Sequence, residues 1–274
     1  MATLDFGKVM EAVANLETIK PYLDGILVID CHAHIGPHSR YFVPEDGIDH
    51  IIEAMDSIGV DMVGINALAA LEGDFASGND ITAEAVRRYP DRVIGHCCIN
   101  PNYPEDVEGE TVRCFEQLGM RMLKFHSGWH GIPPEHPSYR PAVEYCAARR
   151  IPLITHLTDY VQGLPGYVSL AREYPDMPVI IAHATAPNAI DAIVENCAGV
   201  ENMYFDTTGY PKWYASVERL VNGCGEDRVL FGSDIAWLNL AHEIGAVIFA
   251  NVSDTAKEKV LGRNFQAILQ EIDL

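Results

Sequence analysis

Eight short apolar segments recur along the chain, and their spacing limits the fold more than any other feature of the sequence. Their first residues lie about 30 positions apart, which is the length of one strand–helix unit. The stretches between them, such as "ITAEAVRRY" and "NAIDAIVENCA", carry apolar residues at helical spacing. The predicted strands are Ile26–Asp30, Met62–Asn66, Val93–Ile99, Met122–His126, Pro152–His156, Val179–His183, Met203–Thr207 and Val229–Asp234.

This alternation predicts an α/β fold in which a parallel sheet closes into a barrel. Near-continuous apolar strands are typical of a parallel sheet covered by helices, and eight such units form a (β/α)8 TIM barrel. An open doubly wound sheet is the alternative, but it favours a glycine-rich first turn, and none follows Asp30. We expect a single barrel domain over residues 25–274, preceded by an N-terminal helical extension over residues 1–24, where Phe6, Val9 and Val13 recur at helical spacing.

Charge and cysteine content restrict the partners and the compartment. The chain has 19 Lys and Arg residues against 39 Asp and Glu, a formal charge of −20, which repels phosphate backbones and anionic lipid. We therefore expect a small-molecule substrate and no nucleic-acid or membrane partner. Seven cysteines without a CxxC pair, and no signal-like N-terminus, predict a cytoplasmic protein. The N-terminal helix could cover the barrel bottom or contact a second subunit, which leaves a homo-oligomer open.

Polar side chains gather at the ends of the predicted strands, where parallel barrels carry their chemistry. His32 and His34 are two residues apart, so their imidazoles face the same side of an extended chain. Asp234 ends the eighth strand, which lies beside the first if the barrel closes, and His156 approaches from across the barrel. Any one histidine alone would be interpreted as a hydrogen-bonded core residue. Their conjunction predicts a site of three histidines and one aspartate for Zn²⁺, Mn²⁺ or Fe²⁺.

Seven motifs follow one another along the chain: "IDCHAHIG", "LKFHSGW", "IPLITH", "VIIAH", "YFDTTG", "RVLFGSD" and "VLGRNFQAIL". In this order they resemble the amidohydrolase superfamily, and more narrowly its amidohydrolase-related branch of metal-dependent hydrolases and decarboxylases. The resemblance implies a divalent metal held by His32, His34, His156 and Asp234; we expect Zn, with Mn or Fe as alternatives. It also implies that His183 acts as acid or base on water or substrate. The segments "HATAPN" and "SDIAW" depart from the branch where they face the substrate, so the resemblance identifies no substrate.

Lys124 and His126 share one face of the fourth predicted strand, and each has two interpretations. In two-metal members of the superfamily a strand-four lysine is carboxylated and bridges the ions, so a second metal bridge at Lys124 is one alternative. The other, which we favour, is a cationic Lys124 that holds a substrate carboxylate or balances the acids of the barrel. His126 is either a substrate-binding residue or a hydrogen-bonded core residue.

Aromatic and basic residues that follow the strands are candidates for substrate binding. Arg40 could clamp a substrate carboxylate or pair with a surface acid. Trp129 and Tyr210, together with Trp213 and Trp237, could form an aromatic pocket wall, and core packing is the alternative.

Two long loops, "LAALEGDFASGND" and "SGWHGIPPEHPSY", follow the second and fourth strands and are expected to line or cover the pocket. His38, His130 and His136 lie in predicted loops, where we expect them to be exposed to solvent. Cys31 alternates with the two strand-one histidines, and we therefore expect it to face outward from the barrel and to serve in packing.

These residues favour a metal-dependent hydrolase, in which metal-activated water attacks a small-molecule amide, ester or lactone. His183 and Asp234 would handle the proton of that water. The alternative is a metal-dependent decarboxylase of an unsaturated or aromatic carboxylic acid, in which His183 protonates carbon as CO₂ leaves. Arg40 or Lys124 would then hold the departing carboxylate. A non-catalytic barrel is a third reading, and the retention of all five predicted site residues argues against it.

Overall fold

The computed structural model describes residues 23–39, 42–43, 45–157, 160–186, 188–209 and 212–274. The predicted N-terminal helical extension lies outside the described residues, apart from its last two positions. Arg40 and Tyr210, both predicted to bind substrate, also lie outside them.

Eight parallel strands form one sheet in sequence order. Backbone hydrogen bonds also join the eighth strand to the first, from Cys31 N to Phe231 O (2.9 Å) and from Asp234 N to His32 O (2.7 Å). The sheet is therefore a barrel, as the strand count predicted. The strands are β1 (Ile29–Ile35), β2 (Met62–Ala67), β3 (Val93–Cys98), β4 (Met122–Phe125), β5 (Leu153–Thr155), β6 (Val179–Ile181), β7 (Met203–Asp206) and β8 (Val229–Leu230).

A helix follows each strand, and two more close the chain. They are α1 (Ile48–Ile58), α2 (Phe75–Arg88), α3 (Pro104–Glu116), α4 (Arg140–Ala147), α5 (Tyr160–Glu173), α6 (Ala189–Asn196), α7 (Ser216–Cys224), α8 (Leu240–Ile248), α9 (Asp254–Glu258) and α10 (Asn264–Gln270), with a π-helical turn at Lys259–Arg263 and shorter turns at Leu68–Leu71, Ser127–His130, Pro137–Tyr139 and Glu226–Arg228. None of the described helices is both long and apolar enough to cross a membrane.

Two apolar layers stabilise the barrel. The outer layer packs strand residues against the surrounding helices in one large buried cluster. A smaller inner cluster combines Ile94, Met122 and Ile154 with Phe265 and Ile268 of α10. Because α10 contributes to this inner cluster, apolar side chains fill one part of the barrel interior and leave the carboxyl ends of the strands to carry polar groups.

The first strand is longer than predicted. It runs through both histidines to Ile35 rather than ending at Asp30. A bulge interrupts its pairing with β2, because Cys31 and His32 together stand opposite Gly64. Cys31 packs in the inner apolar cluster, so the expectation that it faces outward is wrong. Strict alternation fails here because a bulge adds one residue to one strand only.

The loop predicted after the second strand is mostly helical. Leu68–Leu71 forms a 3₁₀ turn directly after β2, and α2 begins at Phe75, several residues earlier than the apolar periodicity indicated. The side chain of Asp74 accepts a hydrogen bond from Ser77 N and so satisfies one amide of the first turn.

Candidate active site

His32, His34 and Asp234 converge at the carboxyl ends of β1 and β8. One ligand atom from each lies within 4.8 Å of the others. His34 Nε2 is 3.2 Å from Asp234 Oδ1, and His32 Nε2 is 3.8 Å from the same oxygen. Asp234 has a φ of +59°, a left-handed conformation that costs a non-glycine residue about 1–3 kcal/mol and is frequent at functional sites. Sequence reasoning placed these three residues together, and the structure brings them within reach of one cation.

The donor set fits a divalent metal. Burial lowers the pKa of His32 and His34, which keeps their imidazoles neutral, as metal ligands must be. Burial raises the pKa of Asp234 to about 7, because its ionised carboxylate is poorly solvated. A bound cation would stabilise that ionised form. His32 Nδ1 is 2.8 Å from Asp206 Oδ2, an arrangement that leaves Nε2 directed at the site.

His156 and His183 form a second pair beside this group. His183 Nε2 is 2.8 Å from His156 Nδ1, and the ring centroid of His183 lies 5.0 Å from that of His32. His156 is not part of the three-residue ligand group in the described chain. Its role as a fourth ligand stays a prediction. His183 has a φ of +57°, so both residues assigned to proton transfer, His183 and Asp234, occupy strained backbone positions.

Asp206 connects the two groups. Its Oδ2 contacts His32 Nδ1, and its Oδ1 accepts hydrogen bonds from His183 N (2.8 Å) and Thr208 N (3.0 Å). A single carboxylate of β7 therefore contacts residues of both groups.

A second buried carboxylate, Asp30, joins the ligand-bearing ends of β1 and β8. It accepts hydrogen bonds from His32 N (3.0 Å) and from both the backbone and the hydroxyl of Ser233. Sequence reasoning missed this contact. Its only signal was that Asp30 and Ser233 each lie close to a metal-ligand candidate in the chain.

Lys124 lies inside the barrel with no exposed surface. Its Nζ is 2.9 Å from His32 Nε2, and burial lowers its pKa. This position adjoins the ligand group, as both interpretations of Lys124 require. Its carboxylation and its contact with a substrate carboxylate both stay predictions.

A cavity of about 180 Å³ opens beside the ligand group. Five of the predicted site residues line it: His34, His126, Trp129, His156 and Asp234. Leu68, Leu71 and Trp237 complete the lining. The two leucines were not predicted individually, although the loop that contains them was expected to line the pocket.

Two other aromatic predictions differ from the structure. Trp213 is 52% exposed and does not line this cavity. His38 is buried, with its ring 4.9 Å from that of Trp129 and 5.5 Å from that of Trp237. The expectation that His38 is solvated is wrong, because two tryptophans from later loops cover it.

His130 and His136 were both predicted to be exposed to solvent; the prediction is wrong for His130 and confirmed for His136. His130 is buried, and its Nδ1 is 2.8 Å from Tyr139 Oη, because the turn after β4 folds back onto the barrel. His136 is exposed.

Comparison with models of protein families shows to which family this chain belongs. The family model described as Amidohydrolase matches residues 29–269, which include every described site residue discussed above. The chain belongs to the amidohydrolase family. None of the curated proteins matches it.

Solved structures share the fold of this amidohydrolase at low sequence identity. A manganese-bound dihydroxybenzoic acid decarboxylase from Polaromonas is 17% identical with a TM-score of 0.70, covering 89% of this chain and 97% of that one. A 2,6-dihydroxybenzoate decarboxylase from Rhizobium is 16% identical with a TM-score of 0.69, covering 89% and 98%. A manganese-bound 5-carboxyvanillate decarboxylase from Novosphingobium aromaticivorans is 17% identical with a TM-score of 0.67, covering 90% and 96%.

Proposed function

We propose that this amidohydrolase is a metal-dependent decarboxylase of an aromatic or similarly flat, unsaturated carboxylic acid. The observation that carries the proposal is the cavity, which has ionisable ligands at one end and tryptophan and leucine side chains around the rest. A carboxylate would meet the cation, and an unsaturated ring would meet the apolar wall.

The size of the cavity supports a single ring. An apolar cavity of about 150 Å³ is enough to bind benzene in another protein, and this one measures about 180 Å³. Trp129 and Trp237 offer flat surfaces against which a ring packs in offset or edge-to-face geometry. A peptide or a sugar would leave its polar groups unpaired against these side chains.

The chemistry requires a proton at carbon and an acceptor for the developing charge. A divalent cation held by His32, His34 and Asp234 would supply Lewis acidity toward the oxygens of the substrate. His183 gives a proton to the ring carbon that carries the carboxylate. The bond from that carbon to the carboxyl carbon then breaks, and its electron pair returns to the ring as CO₂ leaves. The hydrogen bond of His183 to His156 orients the imidazole and offers a route for reprotonation.

Two findings support a lyase over the hydrolase that the sequence favoured. The first is the cavity, which combines ionisable ligands with a wall of tryptophan and leucine side chains. The second is that decarboxylases of hydroxylated benzoates are frequent among the solved structures with this fold. Several of these neighbours contain manganese, which supports Mn²⁺ as the metal in preference to Zn²⁺.

The test is a substrate screen on purified protein stripped of metal and reloaded separately with Mn²⁺ and Zn²⁺. Hydroxylated benzoates and unsaturated carboxylic acids are assayed for CO₂ release, and lactones, esters and amides for hydrolysis. We expect CO₂ from at least one acid, and none from protein carrying His183→Ala, which leaves the three-residue ligand group intact. Hydrolysis without CO₂ release by either metal form would overturn the proposal.

A further inference from the structure

The imidazole of His126 is held on both faces. Its ring stacks on that of Trp129 at 4.1 Å with 19° between the planes, and on that of His156 at 4.2 Å with 14°. The side chain is 2% exposed. A ring stacked on two sides cannot turn without displacing a neighbour, so its edges point in fixed directions.

One edge of this ring has a defined partner. The backbone N–H of Trp129 is shared between His126 O (3.0 Å) and His126 Nδ1 (3.3 Å), and an N–H can only donate. Nδ1 must therefore accept, and it carries no proton. A neutral imidazole with a bare Nδ1 carries its proton on Nε2.

The remaining edge is available to the cavity. His126 lines it together with His34, His156 and Asp234. Among the described residues, no polar atom forms a hydrogen bond with His126 Nε2. The faces are covered and Nδ1 is occupied, so what this side chain presents to a ligand is one N–H donor.

We infer that His126 is a specificity-determining residue, whose Nε2–H donates a hydrogen bond to an oxygen of the bound substrate. The inference rests on the proposed function, because it places the aromatic acid in this cavity. His126 then favours ligands that offer an oxygen acceptor at this point and disfavours those that offer an N–H donor, since two donors would face each other. A neutral donor of fixed direction selects by position as well as by type.

Binding to the Mn²⁺-loaded protein carrying His183→Ala, which keeps the ligand group and lacks the proton donor, tests this inference without turnover. The probes are benzoates that carry either a hydroxyl or an amino group at the 2-, 3- or 4-position, titrated by calorimetry against this parent protein, and the variants below are made in the same background. At one ring position we expect the hydroxyl compound to bind about threefold to tenfold more tightly than the amino compound, the size of one net hydrogen bond. We expect that preference to disappear in His126→Phe, which keeps a stacked ring and loses the donor.

Two further variants serve as controls. Trp129→Phe keeps the backbone N–H that sets the tautomer, so the hydroxyl preference persists in it. His126→Gln places an amide nitrogen near the position of Nε2 and restores part of the preference. A preference of unchanged size in His126→Phe overturns the inference and leaves the decarboxylase proposal standing. Failure of every benzoate to bind the His183→Ala parent protein counts against the proposed function instead.

The tautomer is also measured directly on the wild type, so the inference stays testable if His126→Phe does not fold. Nitrogen-15 spectra of the Zn²⁺-loaded protein, labelled at histidine, distinguish Nδ1–H from Nε2–H rings. We expect the His126 ring to carry its proton on Nε2. A protonated Nδ1 overturns the inference.

Discussion

Asp206→Asn separates metal affinity from fold stability. The carboxylate can only accept hydrogen bonds, so His32 Nδ1 must donate to it and Nε2 keeps a lone pair for the metal. In the variant, Oδ1 still accepts from His183 N and Thr208 N, which fixes the orientation of the amide. The amide nitrogen then faces His32 Nδ1, donor against donor. This unfavourable contact is removed only if His32 adopts the other tautomer, in which Nε2 carries the proton and cannot bind a metal.

The expected loss of metal affinity follows from the contact between His32 Nδ1 and Asp206 Oδ2. A hydrogen bond to a charged group contributes about 1.5–3 kcal/mol, and removal of a partner behind a metal-binding histidine typically lowers affinity by about 10- to 100-fold. Because a tenfold change corresponds to about 1.4 kcal/mol, the two ranges agree. We therefore expect the metal dissociation constant of Asp206→Asn to rise by about 10- to 100-fold.

Although Asp206→Asn should weaken metal binding, it should not lower the unfolding free energy of the metal-free protein. Burial raises the pKa of Asp206 to about 7, above the unfolded value of about 3.9. The folded chain therefore binds this proton more tightly, and stability falls as pH rises from about 4 to 7. An amide does not ionise, so metal-free Asp206→Asn should be at least as stable as the wild type at pH 8.

The assay is titration of metal-free protein with Zn²⁺ against a competing chromophoric chelator, with urea unfolding of the same samples. Thr208→Val is the matched control, since it changes a buried side chain beside Asp206 but keeps the backbone N–H that Asp206 uses. Equal metal affinity in Asp206→Asn and the wild type would refute the reasoning. So would an equal loss in Thr208→Val, which would point to general disruption of this segment.

Three further predictions concern stability. Gly64→Ala should lower the free energy of unfolding in urea by about 1–3 kcal/mol, because the new Cβ would lie 2.6 Å from His96 Nε2 and 2.9 Å from a backbone carbonyl oxygen. Gly109→Ala is the control, since open space surrounds its Cβ, and it should not lower stability. Lys212→Met removes the ammonium 2.6 Å from the buried Glu243 carboxylate, which then keeps only its contact with His242 Nδ1 (2.8 Å), and should cost about 3 kcal/mol. Lys259→Met, at a surface lysine that pairs with Glu226 and Asp227, should change stability much less. Chelation should lower the Tm reversibly by roughly 5–10 °C, the effect of a ligand at about 100 times its dissociation constant, and a Tm unaffected by chelation would count against a resident metal.

The sequence predicted the barrel because strand and helix periodicities are local. Each apolar run and each amphipathic stretch can be read within a window of about 11–18 residues. Strand order then follows from the number of units alone. The error at β1 has a local cause too. Polar residues at positions 30, 32 and 34 resemble the end of a strand, whereas the structure continues the strand and buries all three.

The sequence could not predict site contacts that depend on how distant strands and loops are positioned against each other. His32, His34 and Asp234 could be grouped because barrel closure makes β1 and β8 neighbours. The hydrogen bonds of Asp30 and Asp206 depend on register, which differs by one residue across the bulge opposite Gly64. The position of His38 depends on two loops whose conformations have no periodic signal.

Charge explains why this interior would take up a divalent cation. Asp30, Asp206 and Asp234 are buried around the ligand group, and burial raises their pKa values to about 8, 7 and 7. With all three ionised and Lys124 protonated, the formal charge is −3 + 1 = −2, which a divalent cation neutralises. Without the cation, protons compensate for part of this charge below about pH 7.

Metal binding should therefore release protons, and the number released should depend on pH. At pH 6, below the raised pKa values, the metal-free site holds protons that the cation displaces. At pH 9 the carboxyl groups are already ionised, and release should fall toward zero. Calorimetric titration with Zn²⁺ in buffers of different ionisation enthalpy counts these protons. Zero release at pH 6, or the same release at pH 9, would contradict the view that this site exchanges protons for a metal.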